Sequence, residues 1–189
     1  MIRLAHEGDA AAIAAIYAPN VERKVASFEL VAPDAAQMAA RIRAVLERWP
    51  WLVLEQDGVV LGYCYAGAYA DRAAYQWSVA VSAYVREGTH RRGIGRRLYA
   101  VLFDLLRRQG VCNAFAGITL PNDASVGLHR AMGFEPVGIY RRVGFKLGAW
   151  HDVEWFGCRL GESAGEPRAP LALPVLRAAG ELGDLLSPG

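Results

Sequence analysis

Residues 90–96 read H-R-R-G-I-G-R and lie between an apolar run, 78–85, and a helix-patterned run, 98–106. A strand, turn and helix in this order suit a pyrophosphate. Gly93 and Gly95 remove the Cβ atoms that would keep an anion away from the backbone, and the following helix offers unpaired N–H groups and the positive end of its dipole. His90, Arg91, Arg92 and Arg96 add charge, Ile94 begins the apolar face, and the amides set the geometry. A G-x-G turn alone also describes a plain helix N-terminus with a solvated basic face. The segment is not a Walker loop, since no Gly-Lys-Ser/Thr closes it. It is a poor dinucleotide fingerprint, because Leu98 holds the third glycine position and no acidic residue ends a following strand about 20 residues on. A pyrophosphate bound without a ribose clamp remains, a description that coenzyme A fits.

No other constellation competes with this one. Cys64, Cys112 and Cys158 are far apart among apolar neighbours, with no C-x-x-C pair and no histidine at ligand spacing, so no metal site and buried, reduced thiols are expected. A net charge of +2 gives no argument for a nucleic-acid or membrane-surface role. With 189 residues, 53% of them hydrophobic, the chain can bury one substantial core. The expected organisation is one domain over 1–160 and a loosely ordered tail over 161–189, which turns to Pro, Gly, Ala and Leu. No leader pattern and no long uncharged apolar stretch are visible, and a cytoplasmic protein is expected.

The elements that must position the turn follow from pattern. Residues 2–4 suggest a short strand and 10–17 an Ala-rich helix, with Asp9 as N-cap and Pro19 as the stop. Residues 20–30 are irregular. Asp34 heads a second helix to about 48, with Met38, Ile42, Val45 and Leu46 on one face. Two strand runs, 51–55 and 59–68, meet at Asp57-Gly58, a hairpin signal. A third strand, 75–85, feeds the glycine turn, and Gly110 ends the helix beyond it. A strand at 113–120, a short helix at 124–132 stopped by Gly133, and strands near 134–140 and 150–160 complete the pattern.

The order of these elements, the x-x-x-G-x-G turn, the run A-F-A-G-I-T-L at 114–120 and P-N-D-A-S-V-G-L-H-R-A-M-G-F at 121–134 resemble the GCN5-related N-acetyltransferases. More narrowly, Y-C-Y-A-G-A at 63–68, R-A-A-Y at 72–75, L-P-N-D-A-S at 120–125 with Leu128-His129, and V-G-F-K-L-G-A-W-H-D-V at 143–153 resemble the phosphinothricin and methionine sulfoximine acetyltransferases. The resemblance covers about residues 1–160. It implies an α/β (α+β) fold whose mixed central sheet, flanked by helices, splays open to admit acetyl-CoA as cosubstrate, with no metal. It places the pantetheine arm on Ala83, Tyr84 and Val85, the pyrophosphate on Arg91, Arg92, Gly93, Ile94, Gly95 and Arg96, and the cofactor arm near Asn122, which would otherwise be a turn residue beside Pro121. His90 departs from the usual Gln or Arg, with little effect expected. A small-molecule amine acceptor and a homodimer are implied, and no nucleic-acid or membrane partner.

The reaction so implied is acetyl transfer from a thioester to a primary amine, which needs a neutral amine and a polarised carbonyl. In the subfamily a glutamate on the long strand serves as base or positions a water. Here that position is Ala80. A positioned base is worth about 10²- to 10⁴-fold, so its loss slows transfer without abolishing it. Three substitutes are open: Glu29, His129, or a water held by backbone carbonyls. His129 matches a family histidine considered catalytic, and reads equally as a partly buried histidine bonded to the backbone. Arg72 and Tyr75 match the acceptor block, where an arginine can fork onto a carboxylate or phosphinate. Phe28, Glu29 and Tyr84 are candidate pocket walls, and His151-Asp152 is read as strand and dimer-edge structure. Two further readings are an acyl-CoA-binding module of this fold with weak or no chemistry, which Ala80 favours, and transfer to a different amine.

Overall fold

The computed structural model describes residues 1–161, 165–183 and 186. Its strands are β1 (Ile2–Leu4), β2 (Trp51–Gln56), β3 (Val59–Ala68), β4 (Ser78–Val85), β5 (Asn113–Thr119), β6 (Glu135–Lys146) and β7 (Ala149–Arg159). Its helices are α1 (Ala10–Glu22), α2 (Ala35–Leu46), α3 (Ile94–Gln109), α4 (Asp123–Ala131) and α5 (Leu173–Ala178). The strands form one mixed sheet in the order β1-β2-β3-β4-β5-β7-β6. Only the β4–β5 pair is parallel, and it holds register over three positions: Ser78 opposite Asn113, Val79 opposite Ala114 and Ala80 opposite Phe115. Beyond Ala80 the two strands part. This is the expected α/β sheet, splayed at its middle.

Alternation along the strands divides the core in two. Val79, Val81, Ala114, Ala116 and Ile118 face α3, whose Leu98, Leu102, Leu105 and Leu106 recur at helical spacing and are fully buried. Trp51, Val53, Val60 and Tyr63 face the other way, against Ile13 and Ile16 of α1 and Met38 and Ile42 of α2. Local chemistry sets the element ends. Asp34 accepts from the Gln37 amide at 2.8 Å to cap α2. Asp57 and Gly58, with φ of 52° and 74°, make the β2–β3 turn, and Gly110 ends α3 at φ 86°.

Several expectations are corrected. α1 runs past Pro19 to Glu22, because the proline removes a single donor, that for the Ala15 carbonyl, while the Arg23 amide still donates to the Pro19 carbonyl at 3.1 Å and the Asn20 side-chain amide to the Ile16 carbonyl at 3.0 Å. Asp9 does not cap α1; both of its oxygens take hydrogen bonds from Arg3 at 2.7 Å. Residues Ala73–Tyr75 form a 3₁₀ turn instead of extending β4, which begins only where its β5 partner begins. Of the cysteines, all free, Cys64 alone is buried. No described helix is long and apolar enough to cross a membrane, and the described residues hold no metal-ligand cluster.

The described part of the tail is docked, in contrast to the loose tail expected. Leu173 and Leu176, 3% and 1% exposed, join the α3-side core, and Leu182 joins them. Gln109 donates to the Leu171 carbonyl at 2.7 Å and the Leu173 amide donates to Arg48 at 3.0 Å. The sparse apolar spacing of this segment hid the docking, because it depends on a groove that the chain itself supplies elsewhere. Leu176→Ala should therefore cost about 2–5 kcal/mol, as for other fully buried leucines. Urea unfolding would read it, and a change below about 0.5 kcal/mol would show the segment to be loosely held.

The β6–β7 hairpin is longer than expected and exposes Val137, Tyr140, Val143, Phe145, Leu147 and Trp150. His151 bonds the Lys146 carbonyl at 2.9 Å, and Asp152 accepts from the Arg142 amide at 2.8 Å, which holds the bulge in β6.

Candidate active site

A cavity of about 790 Å³ opens where β4 and β5 diverge. Val81 to Val85 form one wall and Ala116 to Thr119 the other, the N-terminus of α3 closes one end, and Asn20 and Ala26 reach it from the far side of the sheet. The cavity therefore passes through the sheet from the α3 face to the α1 face. Ala83, Tyr84, Val85, Arg91, Gly93, Ile94, Gly95, Arg96 and Asn122 line it together, while Arg92 lies off the lining.

The α3 end of the cavity is suited to an anion. α2 and α4 begin with side-chain caps from Asp34 and Asn122, but α3 begins at Gly93, in the left-handed region at φ 73°, with no side-chain cap. Its first N–H groups are left for an outside acceptor. A Cβ on Gly95 would stand 2.9 Å from Leu128 Cδ2, so α4 packs directly on the first turn of α3. Asn122 spends its carbonyl oxygen on the Ser125 amide at 3.2 Å, leaving its NH₂ group for the cavity.

His129 lines the cavity but is buried and doubly engaged. Its Nδ1 lies 2.8 Å from the Ser125 carbonyl, which can only accept, so the proton sits on Nδ1. Nε2 then accepts from the Tyr99 hydroxyl at 3.1 Å. Burial pushes its pKa below the ordinary histidine value, against the Ser125 bond, and the ring is neutral at pH 7. Tyr99 escaped the sequence reading because it sits on the apolar face of α3 and reads as core.

Glu29 is not on the cavity lining. Its two oxygens take hydrogen bonds from Arg41 at 2.7 and 2.9 Å, and Tyr17 donates to it at 2.9 Å. The Arg41 pair, followed by Tyr17, holds its pKa below the usual carboxylate range despite partial burial. The rest of this loop is pinned too. Lys146, 5% exposed, donates from Nζ to the Ser27 carbonyl at 2.5 Å, and the Phe28 ring covers Gly144 so closely that a Cβ there would stand 2.3 Å from it. Neither Lys146 nor Arg41 was singled out from sequence. Arg41 stands beside Arg43 in α2 and Lys146 follows Arg141 and Arg142 in β6, so nothing local marks either one, and only the fold brings them to Glu29.

Arg72 and Tyr75 lie away from the cavity lining, on the surface turn before β4. Tyr75 packs edge-on against Tyr69 at 5.7 Å, and Tyr69 in turn meets Phe115 at 4.7 Å. Phe115 is the register partner of Ala80, so this turn borders the sheet face on which Ala80 stands.

Known proteins share this arrangement. Residues 2–155 match the model of the acetyltransferase (GNAT) domain. The phosphinothricin N-acetyltransferase of Streptomyces viridochromogenes is 38% identical over 152 residues, 80% of this chain and 83% of that one. The L-methionine sulfoximine/L-methionine sulfone acetyltransferase of Salmonella typhimurium is 35% identical over 164 residues, 86% and 96% of the two chains. The crystal structure of a phosphinothricin acetyltransferase from Sinorhizobium meliloti in complex with acetyl-CoA superimposes with a TM-score of 0.85 at 34% identity, covering 90% of this chain and 94% of that one. With its splayed mixed sheet and uncapped glycine turn, the chain belongs to the GNAT family of N-acetyltransferases.

Proposed function

We propose that the protein transfers the acetyl group of acetyl-CoA to the free amine of a small amino acid or analogue, of which phosphinothricin and methionine sulfoximine are the model acceptors. The cavity that passes through the sheet carries this reading, because it joins an anion-binding helix end on one face to the Ala80 face on the other. The cosubstrate supplies an acetyl thioester. The backbone of Ala83, Tyr84 and Val85 would hold its pantetheine arm, the turn from Arg91 to Arg96 its pyrophosphate, and the free Asn122 amide the arm between them. Arg72 would take the acceptor carboxylate, with Tyr75 and Phe28 at the pocket rim.

Glu29 is ionised but spent on Arg41, and the only lone pair of the neutral His129 ring is spent on Tyr99. The acceptor ammonium then loses its proton to water, its neutral amine attacks the thioester carbonyl, and the C–S bond breaks to release a CoA thiolate that takes a proton from solvent, while His129 holds α4 against α3. The relatives' names and the exposed apolar face of β6 support two further parts of the proposal. The acceptors are amino-acid analogues, and a second copy of the chain covers the β6 edge, since a long bare apolar edge strand is an aggregation hazard. Light scattering should give the mass of a dimer, and Phe145→Glu should give that of a monomer. We place the protein in the cytoplasm, where its free thiols stay reduced.

Ala80 favours a second reading, a module that binds acyl-CoA with little chemistry. Thiol release from acetyl-CoA across a panel of amino acids and analogues separates the two. Release with at least one acceptor is expected; binding of CoA with no release from any of them would leave the binding module.

A further inference from the structure

Resting on the acetyltransferase reading, the inference concerns which acceptors the Ala80 face admits. Side chains in register on neighbouring strands share a face, and the pairing puts Gly67, Ala80, Phe115 and Gly157 in one row across β3, β4, β5 and β7. The next row holds Tyr65, Ser82, Gly117 and Trp155. Ser82 and Gly117 also line the cavity through the sheet, so the two rows meet the place where the thioester would emerge.

The first row is nearly bare. A Cβ added to Gly67 would meet nothing within 4 Å, and Ala80 adds only a methyl where the family resemblance implies a carboxylate. Aromatic rings stand around this gap. Tyr69 lies 4.7 Å from Phe115 and 6.2 Å from Trp155, and Trp155 borders Gly117, whose added Cβ would lie 3.4 Å from its ring. Tyr65 stacks on Trp51 at 4.4 Å and stands opposite Ser82 in the pairing of β3 with β4. Tyr69 and Tyr75 are more than one-third exposed, so large ring surfaces stand open to solvent beside this gap.

We propose that Gly67 and Ala80 form the floor, and Tyr65, Tyr69, Phe115 and Trp155 the walls, of a subsite that selects α-amino acids with large apolar or aromatic side chains over compact polar analogues. Apolar area placed against these rings is removed from water, whereas a phosphinate pressed onto the glycine and alanine floor meets no charge there and finds in the unpartnered Trp155 indole N–H one donor for a whole hydration shell lost. A carboxylate at position 80 would fill the floor and charge it, so its absence is what makes the subsite. Arg72, on the turn that carries Tyr75, is placed to receive the α-carboxylate at the rim.

Steady-state kinetics with acetyl-CoA and L-phenylalanine, L-leucine, phosphinothricin and L-methionine sulfoximine test this. For the unmodified enzyme, kcat/KM for phenylalanine should exceed that for phosphinothricin by about 10-fold or more, the scale of one to two well-packed side-chain groups. Gly67→Val, which has room in the fold, should lower kcat/KM for phenylalanine by about 10-fold, mainly through KM, with the KM for acetyl-CoA and the melting temperature held. Equal or reversed preference in the unmodified enzyme overturns the subsite while leaving the acetyltransferase reading intact, and so does an unchanged phenylalanine KM in a folded Gly67→Val variant. Release from no acceptor at all overturns both.

Discussion

Gly95→Asp should raise the KM for acetyl-CoA by about 10³-fold. A carboxylate about 4 Å from a pyrophosphate, in a partly solvated site with an effective dielectric near 20, is opposed by about 4 kcal/mol per charge pair. The position is the second glycine of the turn, one residue into a helix whose N-terminus has no side-chain cap and whose amides are left for an anion. Two effects combine in the variant, since its Cβ also meets Leu128 at 2.9 Å. Gly95→Ala carries the steric part alone. Leu128 contributes only the end of a flexible side chain to the clash, so Gly95→Ala should weaken acetyl-CoA far less than the aspartate does. Equilibrium binding of CoA to both variants, with thermal melting as a check on folding, would separate charge from packing. Equal loss in the two would show that the turn closes the cavity by shape and not by holding a pyrophosphate.

The second large effect concerns pH. With Glu29 and His129 both engaged, kcat/KM should rise about tenfold per pH unit until the pH reaches the pKa of the acceptor's own amine, because below it the neutral fraction grows in that proportion. The signs of the two candidate shifts agree with this. Glu29 is held below the ordinary carboxylate range, so it is already ionised well below neutrality and adds no inflection there. His129 is held below the ordinary histidine value, so it is neutral above about pH 6.5 and cannot produce a limb at higher pH. Acceptors with amines of different basicity should therefore shift the midpoint by the difference in their pKa. A midpoint fixed near pH 6 to 7 for every acceptor, and lost in His129→Gln, would instead make the histidine the base.

The sequence by itself determined the cofactor half of this protein. A strand, a G-x-G turn and an amphipathic helix are contiguous in the chain, so residues 78–109 carry both the site and the reason for it. Hydrophobic alternation also determined the strands, and Asp34, Asp57-Gly58 and Gly110 marked element ends through local chemistry that needs no partner.

What the tertiary structure decided is wherever residues distant in sequence meet. The Glu29–Arg41 pair, the Lys146 bond to the loop of Ser27, and the Tyr99 hydroxyl on His129 turn two candidate bases into committed groups. The docked Leu173 and Leu176 likewise depend on a groove between α3 and the end of α2. The acceptor side follows the same rule. Gly67, Ala80, Phe115 and Trp155 come from four strands, and only sheet register places them on one face beside the opening. Backbone conformation and anion binding at a helix end are local properties, legible from neighbouring residues. The freedom of a lone pair and the shape of a pocket depend on what packs against them, and the fold alone supplies that.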